Sequence, residues 1–174
     1  MGDVGDVGDV GDVTDATIRR ATAADIAALL ALYAEFHSFH VAGVPERLRE
    51  PEQRDDAGVR AALGELLRAE DAALFIAAGG GDQVIGLAEV YLKRDEENPW
   101  RVGYTYGHLQ SLMVAASWRR TGIGARLVDA VEVWARERGA REVRLETWEF
   151  PAGPLAFYTA RGYRTLRRTL ARTL

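Results

Sequence analysis

The chain has 174 residues, 48% of them hydrophobic, a formal net charge of −4 and no cysteine. That length suits one domain with a single core, and the missing cysteines exclude a disulfide framework, a thiolate metal site and a cysteine nucleophile. No apolar run approaches the ~20 residues of a membrane span, and no basic-then-apolar leader opens the chain, so the sequence predicts a soluble, cytoplasmic protein with no membrane partner.

The first segment, MGDVGDVGDVGDVTDA, carries Asp3, Asp6, Asp9, Asp12 and Asp15 without a basic residue. Four GDV triplets combine glycine entropy with aspartate repulsion, which predicts a disordered low-complexity tail over 1–15 and a folded domain over 16–174. With those five aspartates set aside, acidic and basic residues nearly balance. The folded body therefore lacks the basic footprint of a nucleic-acid binder.

Within the body, strand and helix patterns alternate. A short strand around Ala16 to Arg19 precedes TAADIAALLALYAEFHSF, where Thr22 and Asp25 have capping-box spacing and Ile26, Leu29, Leu30, Tyr33 and Phe36 share a face. After a loop rich in proline and arginine, a second helix aligns Val59, Leu63, Leu66 and Leu67. The segment ALFIAAGGGDQVIGLAEVYLKR then holds two apolar runs around a glycine cluster, the pattern of a hairpin. A strand GHLQSLMVA follows, and then a helix from Gly122 that aligns Ile123, Leu127, Ala130, Val131 and Trp134. The chain closes with a strand EVRLETW, a helix PLAFYTAR and a last strand from Tyr163.

The stretch SWRRTGIGARL joins a strand to a helix and invites an anion. A helix start presents free N–H groups and the positive end of its dipole, and glycine lets a phosphate reach the backbone. Leu127 replaces the third glycine of a dinucleotide fingerprint, and a Walker ending is absent, which argues against a nucleotide-dependent enzyme. Taken alone, the glycines read by default as a relaxed turn with solvated arginines.

Two motifs together are more specific. Arg119-x-x-Gly122-x-Gly124 resembles the pyrophosphate loop of the GCN5-related N-acetyltransferase (GNAT) superfamily, and PLAFYTARGYR resembles its C-terminal aromatic element, in the family's order. The resemblance covers residues 16 to 174. Ala116 and Pro151 depart from the proline and asparagine common at those places; the second departure removes a side chain that in many relatives contacts the cofactor or orders the loop.

The resemblance implies an α/β fold: a mixed, mostly antiparallel sheet flanked by helices in a single domain. It further implies acetyl transfer from acetyl-CoA, as co-substrate, to a primary amine in a ternary complex, with no metal. The cofactor-binding set it implies is Leu112, Met113 and Val114 on the strand, with Arg119, Arg120, Thr121, Gly122, Ile123, Gly124 and Ala125 in the loop. Tyr158 matches the family's general-acid tyrosine. His108 stands where many relatives place a glutamate base, and Glu89 on the preceding strand is the second candidate; a water chain is the third.

Glu35, Glu89, Glu146 and Glu149 suggest a pocket for a cationic small molecule, whereas a protein lysine or N-terminal amine is the other acceptor class. His37 and His40 lack an acidic partner set and suit an acceptor pocket better than a metal. A non-catalytic acyl-CoA-binding module is the rival reading. Sequence alone leaves oligomeric state open, a homodimer included.

Overall fold

The computed structural model describes residues 16–173, so the expected disorder of the GDV tail lies outside the described residues. Five strands form one sheet in the order β1-β2-β3-β4-β5: β1 (Thr17–Arg20), β2 (Ala72–Ala78), β3 (Val84–Asp95), β4 (Tyr104–Val114) and β5 (Glu142–Arg144). The first three pairings are antiparallel and β4 runs parallel to β5. This is the mixed, mostly antiparallel sheet that the sequence predicts.

Helices cover both faces. Helices α1 (Ile26–Gly43) and α2 (Asp56–Leu66) pack on one side, where Leu29, Leu30, Leu63 and Leu66 meet Leu74, Ile76, Leu87 and Met113. Helix α3 (Ile123–Glu137) covers the other, burying Ile123, Leu127, Val128, Val131 and Trp134 against Ala88, Val90 and Leu109. Each such aliphatic side chain contributes about 1.5–3 kcal/mol on burial. The short helix α4 (Leu155–Ala160) adds Tyr158 to that second core. Close approach of α3 depends on glycine in the sheet: a Cβ at Gly107 would lie 2.9 Å from the Ala135 Cβ, and one at Gly86 would lie 3.2 Å from a Leu127 methyl.

The helical turn Ala23–Asp25 that leads into α1 is capped as the Thr22–Asp25 spacing predicts. Asp25 accepts the Thr22 backbone N–H at 2.8 Å and the Thr22 hydroxyl at 2.9 Å. It also takes two Arg19 N–H groups at 2.8 Å each. These contacts, the Arg19 pair foremost, lower its pKa from 3.8 to about 2. The helical stretch Ala23–Gly43 does reach the length and apolarity of a membrane span, contrary to the expectation from sequence. In this fold its leucines are spent on the sheet, and Glu35, His37 and His40 interrupt its apolar surface.

Two expectations at the C-terminal end change. Strand β5 stops at Arg144, so LETW is not strand, and the strand expected from Tyr163 does not form within residues 163–173. Alternating residues make a strand only when an edge accepts the ladder. Here β5 offers three residues, and Leu166 and Leu170 stay exposed.

Candidate active site

The site begins where β4 and β5 part. Their parallel pairing covers Tyr106↔Glu142, Gly107↔Val143 and His108↔Arg144, and then ends. Arg144 pins that closed end through Asp95 at 2.6 Å and Glu142 at 2.5 Å, with its guanidinium over the Tyr106 ring. Beyond it β4 continues to Val114, still paired on its other edge with β3. The stretch from Leu109 to Val114 therefore has one edge without a neighbouring strand.

Backbone alternation decides which groups face that opening. The Ala115 N–H donates to the Ile85 carbonyl, so Ala115 and Met113 turn toward β3. Leu112 and Val114 turn the opposite way, to the open edge. Of the three strand residues expected to hold cofactor, these two present backbone groups to the cleft, whereas Met113 packs its side chain in the α1 core.

Strand β4 ends in a turn with unusual backbone. Arg120 has φ 64° and Gly122 has φ 90°, the second an ordinary conformation for glycine alone. The left-handed Arg120 costs about 1–2 kcal/mol and signals a turn held in a chosen shape. Helix α3 follows at once, and its first backbone bond is Arg126 N–H to the Gly122 carbonyl. Arg119 already donates its amide to the Ala116 carbonyl at 3.3 Å. Among the described residues, the amides of Arg120, Thr121, Gly122, Ile123, Gly124 and Ala125 have no protein acceptor. Consecutive unpaired amides at a helix start form an anion cradle.

Gly124 has a different reason for being glycine. A Cβ there would sit 3.6 Å from Phe157 and 3.7 Å from Val114, an ordinary contact distance, so packing does not demand its absence. Its small size keeps open the space between the end of β4 and α4. The arginines are less available than the sequence suggests. Arg119 bonds to Glu35 and to the Val114 carbonyl, and Arg126 reaches the Ala16 carbonyl at 2.7 Å. Arg120 alone of the three has no recorded hydrogen bond among the described residues.

The acid and base candidates stand on opposite faces of the sheet. Tyr158 belongs to the α3 core, its ring 5.2 Å from Phe157 and 5.5 Å from Tyr163. Its hydroxyl has no hydrogen bond to the described residues, and burial raises its pKa above the ordinary 10. His108 and Glu89 face α1. The unpaired edge of β4 beyond His108 lies between those two faces.

The two base candidates differ in what they have free. Glu89 is buried and accepts three hydroxyls: Tyr33 at 2.8 Å, Tyr91 at 2.6 Å and Ser111 at 3.0 Å. Those donors satisfy a carboxylate removed from water. Burial raises the pKa values of Tyr33 and Tyr91, and the Glu89 carboxylate beside them raises both further. His108 has one side-chain partner, Nε2 at 3.1 Å from the Gln110 Oε1. In the tautomer that donates this bond, Nδ1 carries the lone pair. Burial, with Lys93 adding its charge, lowers the His108 pKa below 6.5, so the ring is neutral at pH 7.

The Glu89 cage was not foreseen from sequence. Tyr33 and Ser111 are 56 and 22 positions away from it; the β3–β4 register sets Ser111 opposite Glu89, and the packing of α1 on the sheet brings Tyr33. The one sequence signal was a serine inside the apolar run LQSLMV. Of the other carboxylates, Glu146 lies 3.6 Å from Arg167 with both exposed, and Glu149 is exposed. His37 and His40 are engaged with the carbonyls of Arg49 and Phe36. Among the described residues no three histidine or acidic side chains cluster as metal ligands would.

Comparison with known proteins places this architecture. The sequence model of the acetyltransferase (GNAT) family matches residues 27–163, and the chain belongs to that family. It is similar to an aminoglycoside N(6')-acetyltransferase type 1 of Stenotrophomonas maltophilia, 32% identical over 81 residues that cover 47% of this chain and 52% of that protein. The chain thus spans about half the length of that curated relative. Among solved structures, a tetramutant protein from Bacillus halodurans superposes with a TM-score of 0.81 at 19% identity, covering 91% of this chain and 99% of that one. The aminoglycoside acetyltransferase AAC(6')-Iy, bound to a bisubstrate analogue of CoA and acetylneamine, gives 0.69 at 24% identity, covering 91% and 97%. At these identities the structural likeness is one of fold.

Proposed function

We propose that residues 16–174 form an N-acetyltransferase that moves an acetyl group from acetyl-CoA to a primary amine of a small molecule, by direct attack within a ternary complex. The observation that carries this reading is the run of six unpaired amides, Arg120 through Ala125, at the end of a strand with an open edge. A diphosphate fits the amides, and a pantetheine arm fits the edge as an added strand. The side chains of Leu112 and Val114 border that path, and the space beside Gly124 continues it toward Tyr158.

The chemistry assigned to the residues follows from their protonation. An acceptor ammonium with a pKa of ~10.4 costs about 4.6 kcal/mol to deprotonate at pH 7. Neutral His108 takes that proton, directly or through water, and passes it to solvent. The amine nitrogen attacks the thioester carbonyl, the C–N bond forms and the C–S bond breaks; the nitrogen then releases its surplus proton to solvent, and solvent reprotonates the released thiolate. Tyr158 donates a hydrogen bond to the departing thiolate. Caged by three hydroxyls, Glu89 supplies negative charge near the incoming ammonium and holds Tyr33 of α1 on the sheet. No covalent enzyme intermediate is needed, since holding both reactants together supplies much of the acceleration. Carboxylates on the acceptor side, and relatives whose names specify aminoglycosides, support a polyamine-like acceptor.

Calorimetry with CoA, followed by a screen of primary amines for thiol release from acetyl-CoA, tests the reading. CoA binding with amine-dependent release is expected. CoA binding with no release for any amine would reassign the protein as a non-catalytic acyl-CoA module, and absence of CoA binding would end both readings.

A further inference from the structure

Glu35 on α1 and Arg119 in the turn are 84 positions apart in the chain, and they meet at the mouth of the cleft. One carboxylate oxygen, Oε1, accepts the Arg119 Nη2–H at 3.0 Å and the Ala116 backbone N–H at 3.0 Å. The Arg119 Nε–H donates to the Val114 carbonyl at 3.0 Å, and the guanidinium lies 5.0 Å from the Phe39 ring centroid. Thus the first arginine of the turn is held by α1 and by the last outward-facing carbonyl of β4. Both side chains of the ion pair are 38% exposed, so water and ligands can compete for it.

A diphosphate on the cradle would arrive beside this guanidinium, because the unpaired amides begin at the next residue, Arg120. It brings more negative charge than one carboxylate and accepts the paired N–H groups of arginine in the same forked manner. A pantetheine strand on the open edge would also approach Val114, whose carbonyl Arg119 now occupies. Phosphate and strand pairing therefore pull on the same side chain. Once Arg119 leaves, Glu35 keeps the Ala116 N–H and loses the one cationic partner it has among the described residues.

We propose that Arg119 is a latch which coenzyme A displaces, and that its release uncovers the Glu35 carboxylate to receive the ammonium of the acceptor. This rests on the cradle being the diphosphate site. Without cofactor, Glu35 is neutralised and α1 offers the amine little charge at this point. With cofactor in place it presents an anion beside the cleft, so the amine site is completed by the thioester's carrier. Glu35 is then a positioning and specificity residue for a cationic acceptor, placed on the helix that walls the acceptor side.

Glu35→Gln separates this from a static strut, since glutamine keeps an oxygen for the Ala116 N–H and removes the charge. Exposed ion pairs shift an equilibrium by at most about fivefold. In calorimetry the E35Q protein is therefore expected to bind CoA about two- to fivefold tighter than the unaltered chain, because Arg119 no longer has to be drawn away. A strut requires the opposite sign, as loosening the turn would weaken CoA. A double-mutant cycle of E35Q with Arg119→Gln, read by thermal unfolding, should show coupling without CoA and none with saturating CoA. Neamine should bind the unaltered protein more tightly when CoA is present, and E35Q should lose that gain. Unchanged or weaker CoA binding by E35Q, or coupling that persists in the complex, overturns the latch. Neamine binding that is absent or indifferent to CoA overturns the role of Glu35. None of these results touches the cradle itself, which fails only if the unaltered chain does not bind CoA.

Discussion

Replacing Tyr158 with phenylalanine removes one oxygen and preserves the ring, and the surroundings of that oxygen fix what should follow. The ring is 6% exposed and packs between Phe157 and Tyr163, contacts a phenyl group retains. The hydroxyl bonds to none of the described residues, so no protein hydrogen bond is broken. The stability change should stay below about 0.5 kcal/mol, or roughly 2 °C in Tm for a chain of this size. Catalysis should respond differently. A thiol pKa of ~8.5 lies below that of an ordinary tyrosine, and burial pushes Tyr158 higher still, so full proton transfer to the thiolate runs uphill. What the hydroxyl supplies is a hydrogen bond to developing charge, about 1.5–3 kcal/mol, or roughly 10- to 150-fold in kcat. Steady-state thiol release measures this, with the amine KM expected to hold constant. The ratio of the two enzymes should also be flat from pH 7 to 10, because Tyr158 remains protonated throughout. An unchanged kcat, or a loss of activity accompanied by a Tm drop of several degrees, would reduce Tyr158 to a packing residue.

Two further outcomes can be measured on the same chain. Since the folded-state pKa of His108 lies below 6.5 and the neutral ring is the active form, kcat/KM should rise with pH through an inflection below that value; His108→Ala should abolish the inflection and lower the plateau about 100-fold, while Glu89→Gln keeps the inflection. Persistence of the inflection without His108 would move the base elsewhere. Asp25→Asn should cost about 1–2 kcal/mol in urea unfolding at pH 7, discounted for the partial exposure of Arg19. Because the Asp25 pKa is depressed in the fold, that contribution is complete above its unfolded value near 4 and fades as pH falls toward about 2, so the two proteins should converge in acid; a difference independent of pH would mean that the carboxylate charge is not what Arg19 and Thr22 hold.

Local and non-local information divide along a physical line in this chain. The turn after β4 was legible because its demands are short-range: Gly122 takes a left-handed φ, and the helix period from Ile123 to Trp134 sets which face is buried. The two-motif order also singled out Tyr158 as a candidate, on an α4 that follows β5 after the ten residues 145–154. What escaped depends on pairing across the chain. Alternation from Tyr163 gives a strand its faces, yet a ladder needs an edge, and whether β5 extends past Arg144 is written nowhere in residues 163–173.

The same limit governs charge. The Arg-x-x-Gly-x-Gly spacing places a cation beside the cradle, but where that cation points is decided by α1, which sets Glu35 and Phe39 within its reach. Glu89 makes the complementary case. As a lone acid in an apolar strand it reads equally as a base or an ammonium ligand, and only the fold shows that three hydroxyls from three elements occupy its oxygens. Three of the roughly four acceptor sites of that carboxylate are taken, two on Oε2 and one on Oε1, whereas the His108 ring has a single side-chain partner. The roles proposed for the two rest on this difference in hydrogen-bond occupancy, a property of the assembled sheet and α1 together.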